Sequence, residues 1–122
     1  MEPPSRSHKS LIGIVGPCGS GKSTLLAGLE KFGYACRHIA QEHSYVQAMW
    51  QKIAKPDLLI YLSVSFPIST ARRKLDWQRK DYDEQLRRLD HARQHANLFI
   101  DTDDLTPEQV LQTVLRYLKD ID

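Results

Sequence analysis

The amino-acid sequence predicts a three-layer α/β/α domain built on a parallel sheet of about four strands. Three observations carry that expectation. Short apolar runs alternate with segments of helical period along the chain, and such alternation implies crossover connections with helices on both faces of the sheet. The runs are continuous rather than every second residue, the pattern of strands buried on both sides. The length, 122 residues of which 41% are apolar, suffices for one core and leaves little for a second lobe.

Met1 to Ser10 is polar and reads as a disordered tail without the apolar stretch of a signal peptide; residues 11–122 form the domain. Leu11 to Val15 is the first strand, followed by a glycine-rich turn. A helix starts near Lys22, carries Leu25, Leu26 and Leu29 on one face, and ends at Gly33 as a C-cap. Tyr34 to Ala40 is a second strand. Ser44 to Ile53 is a helix with Tyr45, Met49 and Trp50 turned to the core, and Pro56 stops it. Leu58 to Leu62 is the third strand. Pro67 suits the first turn of the next helix, with Ser65 near its N-cap, running towards Lys80. Asp81 and Glu84 have capping-box spacing for a helix to about Ala96. Leu98 to Ile100 is the last strand. Thr106, Pro107 and Gln109 make a strong helix start, and Val110, Leu111, Val114, Leu115 and Leu118 form its apolar stripe. The first strand is expected at the centre, with the second on one side and the third and fourth on the other.

Composition excludes several function classes. A formal net charge of +2 does not describe a basic nucleic-acid domain. No apolar run approaches the ~20 residues of a membrane span. Two cysteines, Cys18 and Cys36, read as free thiols in a reducing cytoplasm.

Gly16-Pro17-Cys18-Gly19-Ser20-Gly21-Lys22-Ser23 matches the phosphate-loop pattern G-x-x-x-x-G-K-[ST], between an apolar strand and an amphipathic helix. Glycines let the backbone curl so that successive amides point into one concavity, and the helix N-terminus adds partial positive charge there. Residues 16–24, Thr24 included, are the expected nucleotide cradle. Lys22 neutralises the β- and γ-phosphates of ATP or another nucleoside triphosphate, and the Ser23 hydroxyl ligates Mg²⁺. Cys18 contributes its backbone amide; a thiol near a helix N-terminus is also a redox candidate. Cys36 reads as a small core residue.

The stretch Pro56-Asp57-Leu58-Leu59-Ile60-Tyr61-Leu62, followed by a helix with Arg72, Arg73 and Lys74, resembles the thymidylate kinase and deoxynucleoside kinase group. Asp101-Thr102-Asp103 before the last helix is similar to the closing segment of many small P-loop kinases. The resemblance spans most of residues 11–119 and implies a P-loop kinase fold, here shortened. It implies ATP and Mg²⁺ as cofactors, a small-molecule acceptor, and no nucleic-acid or membrane partner. The departures are specific. The region that holds the acceptor-binding helices and an Asp-Arg motif in that group is short here. Ser63 stands where Asp is usual, and no strand ends in the usual Walker B aspartate. Asp101 comes last in the chain and reads as structural or base-adjacent.

Glu42, just past the second strand, is the substitute acid: it could hold a metal-bound water or take an acceptor hydroxyl's proton. It is equally readable as a solvated glutamate. His38 and His43 could contact an acceptor; two histidines at this spacing without neighbouring cysteines make a poor zinc signature. The basic stretch supplies lid candidates for the transferring phosphoryl group, Arg72 or Arg73 first and Arg79 next; the same residues also read as a solvated helix face. Trp77 and Tyr82 pack under the lid or contact ligand. The expected function is ATP-dependent, Mg²⁺-requiring phosphoryl transfer to a small molecule, with Lys22, Glu42, Arg72, Arg73 and Arg79 as catalytic residues. The alternatives are a noncatalytic nucleotide-binding module and a slow NTPase needing a partner. A kinase predicts an open cavity beside Glu42 and His43; a binding module predicts that space filled by Tyr45, Met49 and Trp50.

Overall fold

The structure is a computed structural model that describes residues 10–73 and 76–121. Residues 1–9 of the expected tail 1–10, residues 74 and 75, and residue 122 lie outside the described residues. The chain is a mixed α/β fold on a four-stranded, all-parallel sheet in the order β2-β1-β3-β4. The strands are β1 (Leu11–Val15), β2 (Ala35–His38), β3 (Leu58–Ser63) and β4 (Leu98–Asp101), and the helices are α1 (Lys22–Lys31), α2 (Phe66–Arg73), α3 (Arg79–His95) and α4 (Pro107–Asp120). In register, Ile14 pairs with His38 on one side and Ile60 on the other, and Ser63 of β3 pairs with Asp101. The strand order is the expected one.

Alternate strand residues enter two cores, one on each face of the sheet, as the two-residue period of a strand requires. Ile12, Ile14, Ile60, Leu62 and Ile100 pack with Leu25 and Leu29 of α1 and with Val110, Val114 and Leu118 of α4. Val15, Leu59 and Tyr61 pack on the opposite face with Leu89 and Ala92 of α3, joined by Ile39, Trp50 and Ala54. Full burial of each such aliphatic side chain is worth ~1.5–3 kcal/mol, so both faces contribute to folding. Edge strand β2 is largely exposed, and Cys36 is its half-buried residue. Cys36 packs at the margin of the first core, and burial pushes its thiol up to about 11.

The helix expected over Ser44–Ile53 is not formed. Gln41–His43 is a single 3-10 turn, the chain then runs irregularly, and Trp50–Ala54 is a short π-helical turn. The cause is Gln41, which is completely buried. Its Nε2 donates to the carbonyls of Val46 (2.8 Å) and Arg88 (3.1 Å), and its Oε1 accepts from the Trp50 amide at 2.9 Å. A side chain thus takes the backbone groups that helix hydrogen bonds would have used. The expected core face is also corrected. Trp50 is buried and Met49 half-buried, but Tyr45 is 84% exposed, because the irregular backbone breaks the helical phase.

Two helix starts show how capping chemistry decides boundaries. α4 opens as expected: the Thr106 hydroxyl accepts from the Gln109 amide, and the Gln109 side chain accepts from the Thr106 amide. α3 begins earlier than expected, with Gln78 at the N-cap and Asp81 at the third position accepting from the Gln78 amide at 2.9 Å. The Asp81–Glu84 pair is therefore inside the helix. The single helix expected from Pro67 to Lys80 is also corrected, since α2 ends at Arg73 and α3 starts at Arg79.

Candidate functional site

The glycine-rich turn between β1 and α1 is shaped by backbone that side chains would not tolerate. A Cβ on Gly16 would stand 2.3 Å from the Leu62 carbonyl oxygen and 2.8 Å from the Ser20 hydroxyl. Gly21 sits at φ 95°, in the left-handed region, and is the N-cap of α1. It offers no capping side chain, and the first turn of α1 contains no acid. The first-turn amides of a helix have no intrahelical acceptor, so the end of α1 keeps its partial positive charge unanswered.

That end opens into a cavity of about 570 Å³. Residues 18–25 form its floor. The other walls come from segments that follow the carboxyl ends of the remaining strands, the usual crevice of open α/β sheets. His38 ends β2 and Glu42 and His43 follow it, Arg72 stands on α2, and Thr102, Leu105, Pro107 and Val110 follow β4.

The core of the site is a buried ion pair. Lys22 and Glu42 are 6% and 2% exposed, and Lys22 Nζ lies 2.9 Å from Glu42 Oε2. The ammonium also donates to the carbonyls of Gly16 at 2.6 Å and Pro17 at 3.1 Å. Among the described residues, Glu42 Oε1 is buried with no hydrogen-bond partner. His43 Nε2 is 4.0 Å from Oε2, on a side chain 61% exposed. The reading of Glu42 as a solvated glutamate is corrected: the 3-10 turn directs it inward against Lys22. His38 is exposed as a residue, yet its ring stands at the cavity wall. Lost hydration there, then the Lys22 charge, holds its pKa below the ordinary histidine value.

Of the lid candidates, the structure brings Arg72 to the cavity. Its guanidinium donates to the Thr102 hydroxyl at 2.9 Å, to the Thr102 carbonyl, and to the Gly19 carbonyl at 3.3 Å. Thr102 in turn donates to the Ser63 carbonyl at 2.9 Å, so Arg72 is anchored to the ends of β3 and β4. The Arg73 side chain lies outside the described residues. Arg79 is not at the cavity: it pairs with Asp83 at 3.1 Å and lies over the rings of Phe66 and Tyr82. The physical reason is helix phase, which points it along the exposed start of α3. Trp77 and Tyr82 act in packing, with Trp77 Nε1 donating to the Thr70 hydroxyl and the Tyr82 hydroxyl donating to the Val64 carbonyl. Asp101 accepts from the Asp103 amide and stays outside the cavity.

Within the cradle, the Cys18 amide is already engaged, donating to Gln85 Oε1 at 3.0 Å. The Ser20 amide donates to the Pro17 carbonyl at 3.2 Å. The expectation of a free Cys18 amide is therefore corrected, whereas Gly21, Lys22, Ser23 and Thr24 line the cavity. Three contributors escaped the sequence analysis. Gln85 and Ser69 grip Cys18, the latter donating to its carbonyl at 2.7 Å, and Thr102 holds Arg72. Nothing in local spacing signals them, because they act across long stretches of chain.

No family model and no curated protein sequence matches the chain. Among the described residues, no helix is long and apolar enough to cross a membrane.

Proposed function

We propose that this chain binds a nucleoside triphosphate, ATP or a close relative, with Mg²⁺ on a phosphate loop at residues 16–24, and transfers its γ-phosphoryl group to a small acceptor. The observation that carries the reading is the buried Lys22–Glu42 pair beside the uncapped end of α1, in an open cavity. Tyr45 does not fill that space and Trp50 packs in the second core, which favours a kinase over a binding module. Lys22 would turn from the loop carbonyls to the phosphates, as the amides and the end of α1 receive the charge. Glu42, released from Lys22, would orient the acceptor hydroxyl and take its proton. Arg72 would meet the charge that develops on the transferring group. The metal would neutralise phosphate charge; the cavity-lining Ser23 and the unpartnered oxygen of Glu42 fit a hydrated cation, directly or through water. The compartment this reading implies is the cytoplasm, where thiols stay reduced.

The test is Mg²⁺-nucleotide titration followed by transfer of labelled γ-phosphate to nucleosides and nucleoside monophosphates. Binding with transfer supports the reading, and Glu42→Gln should then lower transfer roughly 10²–10⁴-fold with binding retained. A folded protein that binds no nucleotide refutes the phosphate loop. Binding without transfer replaces the kinase by a binding module, and phosphate release to water replaces it by an NTPase.

A further inference from the structure

We infer that Cys18, Glu42 and His43 together bind one zinc-type divalent cation at the edge of the cavity when nucleotide and its Mg²⁺ are absent. One ligand atom from each, the thiol sulfur, a carboxylate oxygen and an imidazole nitrogen, lies within 4.8 Å of the other two. Tetrahedral zinc with bonds of about 2.0–2.3 Å sets its ligands roughly 3.5 Å apart, so closure asks for about 1 Å of movement. The exposed ring of His43 can supply that movement.

A second observation points to a ligand independently of the cysteine. Glu42 is 2% exposed, and among the described residues its buried Oε1 has no hydrogen-bond partner. An acceptor left bare in that way is costly, more so when charged, and a cation would satisfy it. Lys22 holds Oε2, the oxygen 4.0 Å from His43 Nε2, so a metal taken through Oε1 would leave the ion pair in place and one taken through Oε2 would displace the ammonium.

Cys18 is held as metal ligands are held, by partners that fix its orientation. Its amide donates to Gln85 Oε1, its carbonyl accepts from the Ser69 hydroxyl, and Gln85 Nε2 lies 3.2 Å from its sulfur, a donor suited to a thiolate. Thiolate and imidazole select zinc over magnesium. Three protein ligands leave a fourth position open, as in zinc sites that exchange ligands. An occupied site would also withdraw Glu42 from phosphoryl transfer. That consequence alone rests on the proposed function; metal binding does not.

Cobalt(II) reports the site directly, since a cobalt–thiolate bond gives a near-ultraviolet charge-transfer band. The metal-free, reduced full-length chain, without nucleotide, should develop that band at one equivalent of cobalt. Cys36→Ser should keep it, Cys18→Ser should lose it, and His43→Ala and Glu42→Gln should each weaken cobalt affinity at least tenfold, since even the partners that orient metal ligands are worth ~10–100-fold. Absence of the band in wild type, or its survival in Cys18→Ser, overturns the site. A wild-type measurement covers a variant that fails to fold: one equivalent of zinc should slow alkylation of Cys18 and leave Cys36 unchanged. Equal rates at Cys18 with and without zinc overturn the inference too. Loss of nucleotide binding or transfer in the earlier tests leaves both readouts intact, so the two failures are distinguishable.

Discussion

Removing the Lys22 ammonium should unfold the protein more readily before it affects any ligand. Lys22→Ala leaves Glu42, 2% exposed, with one oxygen already unpartnered and the other stripped of its 2.9 Å cation. His43, 4.0 Å away on an exposed side chain, is a weak substitute. Breaking a buried pair by deleting one partner costs about 3–5 kcal/mol, mostly the penalty of the charge left behind. Against a total stability of roughly 5–15 kcal/mol, that is a large share. At about 3–5 °C per kcal/mol for a domain of this size, Tm should fall by about 10–25 °C. The double variant Lys22→Ala/Glu42→Gln removes the stranded charge as well and should recover most of the loss. Urea unfolding of wild type, both single variants and the double variant gives the cycle. Additive effects, or a Lys22→Ala variant within about 0.5 kcal/mol of wild type, would show that Glu42 is solvated and refute the buried-pair reasoning.

Gly16→Ala should cost at least ~1–3 kcal/mol in urea unfolding, because its Cβ would stand 2.3 Å from the Leu62 carbonyl oxygen; an unchanged midpoint would contradict the geometry. Gln41→Ala should destabilise by about 1–3 kcal/mol for each buried group left unpaired, read by the same unfolding and by faster hydrogen exchange at the Trp50 amide. In an active preparation, Arg72→Ala should lower turnover by roughly 10²–10³-fold while Arg79→Ala stays near wild type, since only the first reaches the cavity; equal effects would reverse that assignment. Cys36, its thiol raised from 9.0 to about 11, should carry about a hundredfold less thiolate near neutral pH than an unperturbed thiol and alkylate correspondingly slowly.

What the sequence determined by itself was local chemistry. Continuous apolar runs marked β1, β3 and β4, Thr106 and Gln109 marked the start of α4, and the spacing of Gly16, Gly21 and Lys22 marked the turn between β1 and α1. These signals are short-range, carried by neighbouring residues whose period or dihedral demands are read directly. The tertiary structure decided the rest. Gln41, polar and unremarkable in the chain, is buried with its side chain bridging the Val46 carbonyl and the Trp50 amide, which a helix would have joined to each other, so a helical pattern became irregular. Glu42 was equally readable as solvated until packing set it against Lys22. Cys18, Glu42 and His43 converge at the cavity, and Gln85 and Ser69 grip the Cys18 backbone, although long stretches of chain separate these segments. Arg72 and Arg79 look alike in sequence, yet α2 brings one to the cavity and the start of α3 turns the other to solvent. Burial and convergence depend on contacts between distant segments, and a reading confined to neighbouring residues has no term for them.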